Sequence, residues 1–247
     1  MTLTPFPRPT GGTADVMRGL ALLIPMLFRA TVARADLLAD AFVAAGHAVA
    51  PAGGRIRLEV VRDPTVTTAM AARFEDGVCR VFALETSDYL IGGLAQLDPA
   101  WRSPYLEALF AHEFGHCHEQ YQASLNAAWR EPPSPALVPV RMHKDADGAL
   151  WLVSIRQEAL WGEILADAYL GLYLSERYPA LSKPLIDFHL ARRGNAAVID
   201  PEHDTSRFLT GLSFERRRGE DIHEAGRRLR RTGTAGVRIA SNSPGNP

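Results

Sequence analysis

Two histidines and a glutamate stand at the spacing of a metal site in the stretch His112-Glu113-Phe114-Gly115-His116. On a helix, residues four apart lie about 40° apart around the axis, so His112 and His116 face the same way and can hold one metal ion. Glu113 is turned about 100° from His112, beside the metal, where a general base for a water molecule belongs. The spacing therefore predicts a hydrolytic zinc site with two histidine ligands and Glu113 as the catalytic base.

A catalytic zinc site uses a third protein ligand, which must come from another part of the chain. The best candidate is Glu163, because it lies in an otherwise apolar segment where an unpaired carboxylate is costly and a metal ion removes that cost. Asp167 follows four residues later on the same helical face and is suited to accept the outer N–H of a ligand histidine. Pairing of both carboxylates with arginines is the alternative interpretation.

The motif His-Glu-x-x-His followed by Glu163-Ile164-Leu165-Ala166-Asp167 resembles the gluzincin metallopeptidases. Within them it is most similar to the family of the CAAX prenyl proteases and the bacterial heat-shock membrane proteases. That family carries a histidine and an arginine downstream, and this chain has His203 and Arg207, although Asp204 replaces the family's proline. The resemblance covers roughly residues 78–214. It implies that the strand near Val78 to Leu84 lies along the edge of the cleft, where a peptide can add in extended form.

This resemblance implies a zincin-like fold and one Zn²⁺ per chain, held by His112, His116 and Glu163. It also implies that His203 donates a hydrogen bond to the oxyanion of the tetrahedral intermediate, while a surface histidine near a helix start is the alternative for this residue. The family is largely membrane-embedded, whereas no stretch of this sequence is long and apolar enough to predict a spanning helix.

Two long helices are predicted to carry these residues. The first covers roughly 104–123, with Ser103-Pro104 as its expected start and Gly115 as a point where another segment can approach closely. The second covers 156–178. Further expected elements are helices within 14–49, 181–193, 205–214 and 220–231, strands at 55–61 and 78–84, an extra strand or extension at 89–91, and a hairpin of 137–142 with 149–153.

The predicted fold class is α+β, mostly helical with a small N-terminal β-sheet. One catalytic domain is expected over residues 13–231, with N-terminal helices at 14–49 and a metal-site core at 55–214. The flanking segments 1–12 and 232–247, rich in Pro, Gly, Ser and Asn, are expected to be disordered.

Composition narrows the partners and the compartment. The chain has 247 residues and a formal net charge of −1, which gives no reason to expect nucleic acid or an anionic membrane as a partner. The arginines of 216–231 alternate with acidic residues and are interpreted as a solvated helix face. Two cysteines do not make a disulfide framework and favour a reducing, cytoplasmic compartment. The apolar run 19–28 is too short to span a membrane, and secretion is the less favoured alternative.

These residues together predict a zinc metalloendopeptidase that hydrolyses peptide or protein substrates. The main alternative is a non-catalytic zincin-like domain that binds a protein or has a regulatory role. An esterase or amidase on the same site also stays open, since activation of water by zinc does not itself select a peptide bond.

Overall fold

The computed structural model describes residues 36–49, 55–62, 68–126, 131–137, 140–144, 150–196 and 200–236. The chain divides into two units, Met1–Leu37 and Leu38–Pro247, and only residues 36 and 37 of the first are described. The expectations for 1–12, for helix within 14–35 and for 237–247 therefore lie outside the described residues.

The described elements are mostly helical, with two small sheets. They are α1 (36–49), β1 (Arg55–Val61), β2 (Met70–Glu75), β3 (Val78–Leu84), α2 (Asp88–Ala95), α3 (Pro99–Leu125), β4 (Val140–Lys144), β5 (Leu150–Ser154), α4 (Gln157–Arg177), α5 (Pro179–Ala196), a 3₁₀ turn (Pro201–His203), α6 (Ser206–Leu209) and α7 (Ile222–Gly236). This confirms the coarse prediction of a mostly helical α+β fold. Among the described helices, none combines the length and apolarity needed to cross a bilayer.

The three-stranded sheet has the order β1-β3-β2. Strand β3 pairs in parallel with β1 and antiparallel with β2, so its two edges are both occupied. The positive φ angles of Asp76 and Gly77, 52° and 73°, make the tight turn that joins β2 to β3. Strands β1 and β3 confirm the predictions, and the hairpin of β4 with β5 is present with slightly shifted ends. Strand β2 was not predicted.

Helix α3 begins five residues before the predicted start. Asp98, rather than Ser103, is its N-cap: the Asp98 carboxylate accepts the backbone N–H of Ala100 at 2.9 Å, and Pro99 occupies the first turn. Pro104 therefore lies inside the helix, which continues to Leu125. The predicted start at Ser103-Pro104 is therefore wrong, because the carboxylate of Asp98 caps the helix five residues earlier.

Four other predicted boundaries are wrong. The helix predicted over 205–214 is the short α6, which ends at Leu209. Residues 89–91 are helical rather than extended, because the Ser87 hydroxyl caps α2 by accepting the N–H of Leu90. Helix α5 runs past Gly194 to Ala196. Helix α7 runs to Gly236, so the predicted disorder from 232 onward is wrong for 232–236, where Thr234 is buried and donates to Arg230 O.

The core lies between α3 and α4, which cross at Gly115. A Cβ at Gly115 would lie 3.0 Å from Ala166 Cα and 3.2 Å from Tyr169 Cγ. Only a residue without a side chain allows the two backbones to come so close, as the sequence suggested. Since Glu163 and Asp167 flank Ala166 along α4, this crossing sets the distance between the two metal-site motifs.

A disulfide joins Cys79 of β3 to Cys117 of α3, so the expectation of two unpaired cysteines is wrong. The residues are 38 positions apart in sequence and fully buried where the sheet packs on the helix. Their pairing removes the sequence argument for a reducing compartment, because that argument assumed free thiols.

The arginine-rich segment is also less solvated than predicted. Arg230 is 1 % exposed and lies with its guanidinium carbon 4.1 Å from the centre of the Trp161 ring. It donates to Glu119 at 2.7 Å and to Glu131 at 2.8 Å. Arg231, in contrast, is exposed and pairs with Glu131 at the surface. Part of the basic segment is therefore a buried ion-pair network that attaches α7 to α3 and α4.

Candidate metal centre

The structure brings His112, His116 and Glu163 together from α3 and α4. His112 Nε2 lies 3.3 Å from His116 Nε2, and the Glu163 oxygens lie 3.4 Å and 3.2 Å from these two nitrogens. A tetrahedral zinc ion with ligand distances of about 2.0–2.1 Å would place neighbouring ligand atoms about 3.3–3.4 Å apart. The three side chains therefore have the spacing of a shared zinc ion, and they form a potential metal-holding group within the described residues.

Asp167 accepts hydrogen bonds from several residues around the metal ligands. Its Oδ1 atom lies 2.7 Å from His112 Nδ1 and 2.8 Å from His189 Nε2, and Thr205 Oγ1 donates to Oδ2. Burial lowers the pKa of His112 to about 4, because it outweighs the opposite effect of the Asp167 carboxylate, so the ring is neutral. A neutral ring that donates Nδ1–H to Asp167 has its Nε2 lone pair free for a metal.

Arg193 is the residue at the centre that sequence reasoning missed. It is 8 % exposed, and its Nη2 atom lies 3.0 Å from Asp167 Oδ1 and 3.2 Å from Glu163 Oε2. The only sequence signal was the spacing of His189 and Arg193, which are four residues apart and therefore lie on one face of α5. The predicted downstream arginine, Arg207, lies outside the cleft lining, with its guanidinium over the Phe208 ring.

Glu113 is buried beside the histidines rather than among the ligand atoms. Its Oε2 atom is inaccessible to solvent and has no hydrogen-bond partner among the described residues. Burial raises the pKa of Glu113 to about 7, with the Glu163 charge acting in the same direction. A carboxyl group with a pKa near neutrality exchanges a proton at low cost in either direction.

His203 reaches the same centre from the 3₁₀ turn. Its Nε2 atom lies 3.3 Å from Glu163 Oε1, and its Nδ1 atom lies 2.6 Å from Asp200 Oδ1. Burial disfavours the charged ring, but the hydrogen bond to Glu163 outweighs it and raises the pKa of His203 to about 8. The side chain is 38 % exposed and belongs to the cleft lining, with its Nε2 atom directed at Glu163.

The charges of this centre fit a divalent cation. Three carboxylates, of Glu113, Glu163 and Asp167, are at most 9 % exposed, and the only buried guanidinium in contact with them among the described residues is that of Arg193. Without a metal, Arg193 shares the positive charge of the centre with two histidines. Burial disfavours their charged rings, but the Glu163 carboxylate outweighs it and raises the pKa of His116 to about 9 and that of His203 to about 8. A divalent cation bound by His112, His116 and Glu163 would take the place of the His116 proton, and a two-histidine, one-carboxylate ligand set suits zinc.

The centre lies in a cleft of about 810 Å³. One stripe of α3 forms part of its lining, from Leu109 through His112, Glu113 and His116 to Gln120. Strand β2 and the two residues before it line the cleft over 68–72, whereas the predicted cleft strand, β3, lies in the middle of the sheet. The prediction that β3 borders the cleft is therefore wrong, because β2 covers that edge.

Comparison of the chain with protein-family profiles, with curated proteins and with solved structures finds no match. The resemblance to gluzincins therefore rests on the residues of the centre alone.

Proposed function

We propose that the chain is a zinc-dependent peptidase with His112, His116 and Glu163 as the metal ligands. The observation that carries this proposal is the spacing of 3.2–3.4 Å among ligand atoms from two helices, next to a buried glutamate without a partner among the described residues. A zinc ion held there would supply Lewis-acid chemistry, which acidifies water and polarises a carbonyl oxygen.

Glu113 is the proton-transfer group of the proposed reaction. Its pKa of about 7 suits the acceptance of a proton from the attacking water and its later delivery to the leaving amine. His203, on the other side of Glu163, is a hydrogen-bond donor for the oxyanion of the tetrahedral intermediate. Asp167 holds the tautomer of His112, and Arg193 holds Asp167 and Glu163 in place.

The free edge of β2 supports a peptide as the substrate. Ala69 O accepts from Leu84 N on β3, whereas Phe74 N donates outward to the Gln120 side chain at 2.8 Å. Alternate residues of an antiparallel strand direct their backbone groups to opposite sides, so Met70 and Ala72 share the outward side of Phe74. Both line the cleft, and an extended peptide can add to them as a further strand.

The test combines metal content and peptide hydrolysis in one set of variants. We expect one zinc per chain in the wild type, loss of zinc in Glu163→Ala, and retained zinc in Glu158→Ala, a matched change at an exposed position of α4. Glu113→Gln should keep the zinc and lose about 100-fold or more in hydrolysis of a peptide library, because it removes the proton acceptor.

A wild-type protein without zinc after purification in zinc-containing buffer would overturn the proposal. Stoichiometric zinc without peptide hydrolysis would instead support the alternative of a non-catalytic zincin-like domain.

A further inference from the structure

One end of the cleft is apolar. Leu109 lies one helical turn before Glu113 on α3, and α2 adds Tyr89 and Leu90 to the same lining. Leu90 and Leu109 are nearly covered, with 4 % and 7 % exposure, whereas Tyr89 is 38 % exposed. Four large hydrophobic side chains are exposed among the described residues, and of these only Tyr89 lines the cleft.

The Tyr89 ring is fixed in place by Arg192 of α5. The guanidinium carbon lies 3.9 Å from the ring centre, and Arg192 Nη2 donates to Tyr89 O at 2.6 Å. Arg192 Nη1 reaches Tyr105 OH at 3.5 Å, and a Cβ at Gly93 would collide with the guanidinium. The α2 backbone thus leaves room for an arginine that packs on the exposed Tyr89 ring and also contacts Phe188 and Tyr105.

An aromatic ring that is held in position beside a reaction centre is suited to bind a side chain of the substrate. An exposed ring loses freedom when a ligand packs on it, and a ring that is already held avoids that cost. The cleft lining also includes the small residues Ala69, Ala71 and Ala72, which leave space for a large group. Aromatic rings stack on one another in offset or edge-to-face arrangements, so a flat apolar side chain fits this end best.

We infer that Tyr89, with Leu90 and Leu109, forms a specificity pocket that selects peptides with an aromatic or large aliphatic side chain beside the scissile bond. This inference rests on the proposed peptidase function and names its substrate class. Leu109 precedes Glu113 by one turn, so a side chain in this pocket belongs to a residue that flanks the reacting carbonyl.

Cleavage-site mapping on a mixture of peptides tests the inference by mass spectrometry. We expect wild-type cleavages to be enriched in Phe, Tyr or Leu at one position next to the broken bond. For a Phe substrate, Tyr89→Ala should lower kcat/KM about tenfold, and for its Ala analogue the change should be under twofold, because the pocket then contributes little. Tyr89→Phe should retain the preference, and Leu125→Ala, which truncates an exposed side chain elsewhere on α3, should leave it unchanged.

A binding measurement provides a readout without turnover. Fluorescein-labelled Phe and Ala peptides are titrated into zinc-loaded Glu113→Gln protein, and their anisotropy is followed. The Phe peptide should bind about tenfold tighter, and adding Tyr89→Ala should remove most of this difference while the circular dichroism spectrum stays unchanged.

The outcomes separate the two proposals. Cleavage without a preference for apolar residues, or a preference that Tyr89→Ala leaves intact, would overturn the specificity pocket and leave the peptidase proposal standing. Absence of any Glu113-dependent cleavage would overturn the peptidase proposal. In that case equal binding of the two labelled peptides would overturn the pocket as well.

Discussion

Replacement of Gly115 by alanine tests whether the crossing of α3 and α4 sets the metal geometry. The new Cβ would lie 3.0 Å from Ala166 Cα, whereas carbon atoms in ordinary contact are about 3.5–4.0 Å apart. The helices must therefore separate by a few tenths of an ångström. Glu163 is on α4, whereas both ligand histidines are on α3, so a separation of the two helices moves Glu163 away from the histidines. In the wild type its oxygens lie 3.2 Å and 3.4 Å from the ligand nitrogens.

The expected effect on folding is small because two contributions oppose each other. Overpacking of this size costs about 1–3 kcal/mol, and alanine in place of glycine returns about 1 kcal/mol of helix propensity. The free energy of unfolding should therefore fall by about 0–2 kcal/mol. This displacement uses up most of the roughly 0.5 Å that a functional site tolerates, so we expect zinc to bind about tenfold more weakly.

Urea denaturation and competition with a zinc chelator measure the two effects. The matched control is Gly92→Ala in α2, because a Cβ at Gly92 would have no neighbour within 4 Å. That variant should gain about 0.5–1 kcal/mol and keep its zinc affinity. If Gly115→Ala behaved in the same way as Gly92→Ala on both measurements, the link between the helix crossing and the metal ligands would be refuted.

Three further predictions concern stability. Arg230→Met should lower the free energy of unfolding by about 3 kcal/mol, because it removes a buried guanidinium that pairs with the half-buried Glu119 and Glu131. Arg231→Met at the surface should cost under about 1 kcal/mol, and similar values for the two variants in urea denaturation would contradict the buried role of Arg230. His223, bonded to Tyr169 at 3.0 Å, has its pKa lowered to about 3 by burial and by the neighbouring His118. Between pH 3 and about 6.5 the unfolded chain therefore binds more protons at this histidine than the folded protein does. The free energy of unfolding should fall by about 2 kcal/mol from pH 7 to pH 5. A His223→Gln variant whose free energy of unfolding falls equally steeply with pH would disprove this origin. Reduction of the disulfide, which links positions 38 apart, should lower the free energy of unfolding by about 4 kcal/mol, and unchanged urea denaturation in excess dithiothreitol would contradict the pairing.

Local patterns predicted the parts of the site that a single helix positions. The spacing of His112 and His116 is a property of one helix, so it could be read without knowledge of the fold. Glu163 and Asp167 were recognised because carboxylates in an apolar helix need partners. The structure brings these two helices together, with Asp167 against His112.

Features that depend on distant parts of the chain were missed. Strand β2 reads Met-Ala-Ala-Arg-Phe-Glu, which has few strongly strand-forming residues and takes its shape from pairing with β3. The segment Tyr89 to Ile91 was expected to be extended because its residues favour strands, and the cap at Ser87 decided otherwise. Arg193 enters the site from a third helix, and no local spacing indicates a contact that depends on how three helices pack.

The position of Arg193 makes the folded state less dependent on the metal. In small zinc modules the ligand charges repel one another and the empty chain unfolds, so metal binding and folding are one event. Here a guanidinium already neutralises part of that charge, and the helices that carry the ligands are held by an apolar core and a covalent link to the sheet. The empty protein should therefore remain folded, and a chelator should remove zinc from a scaffold that takes it up again without refolding.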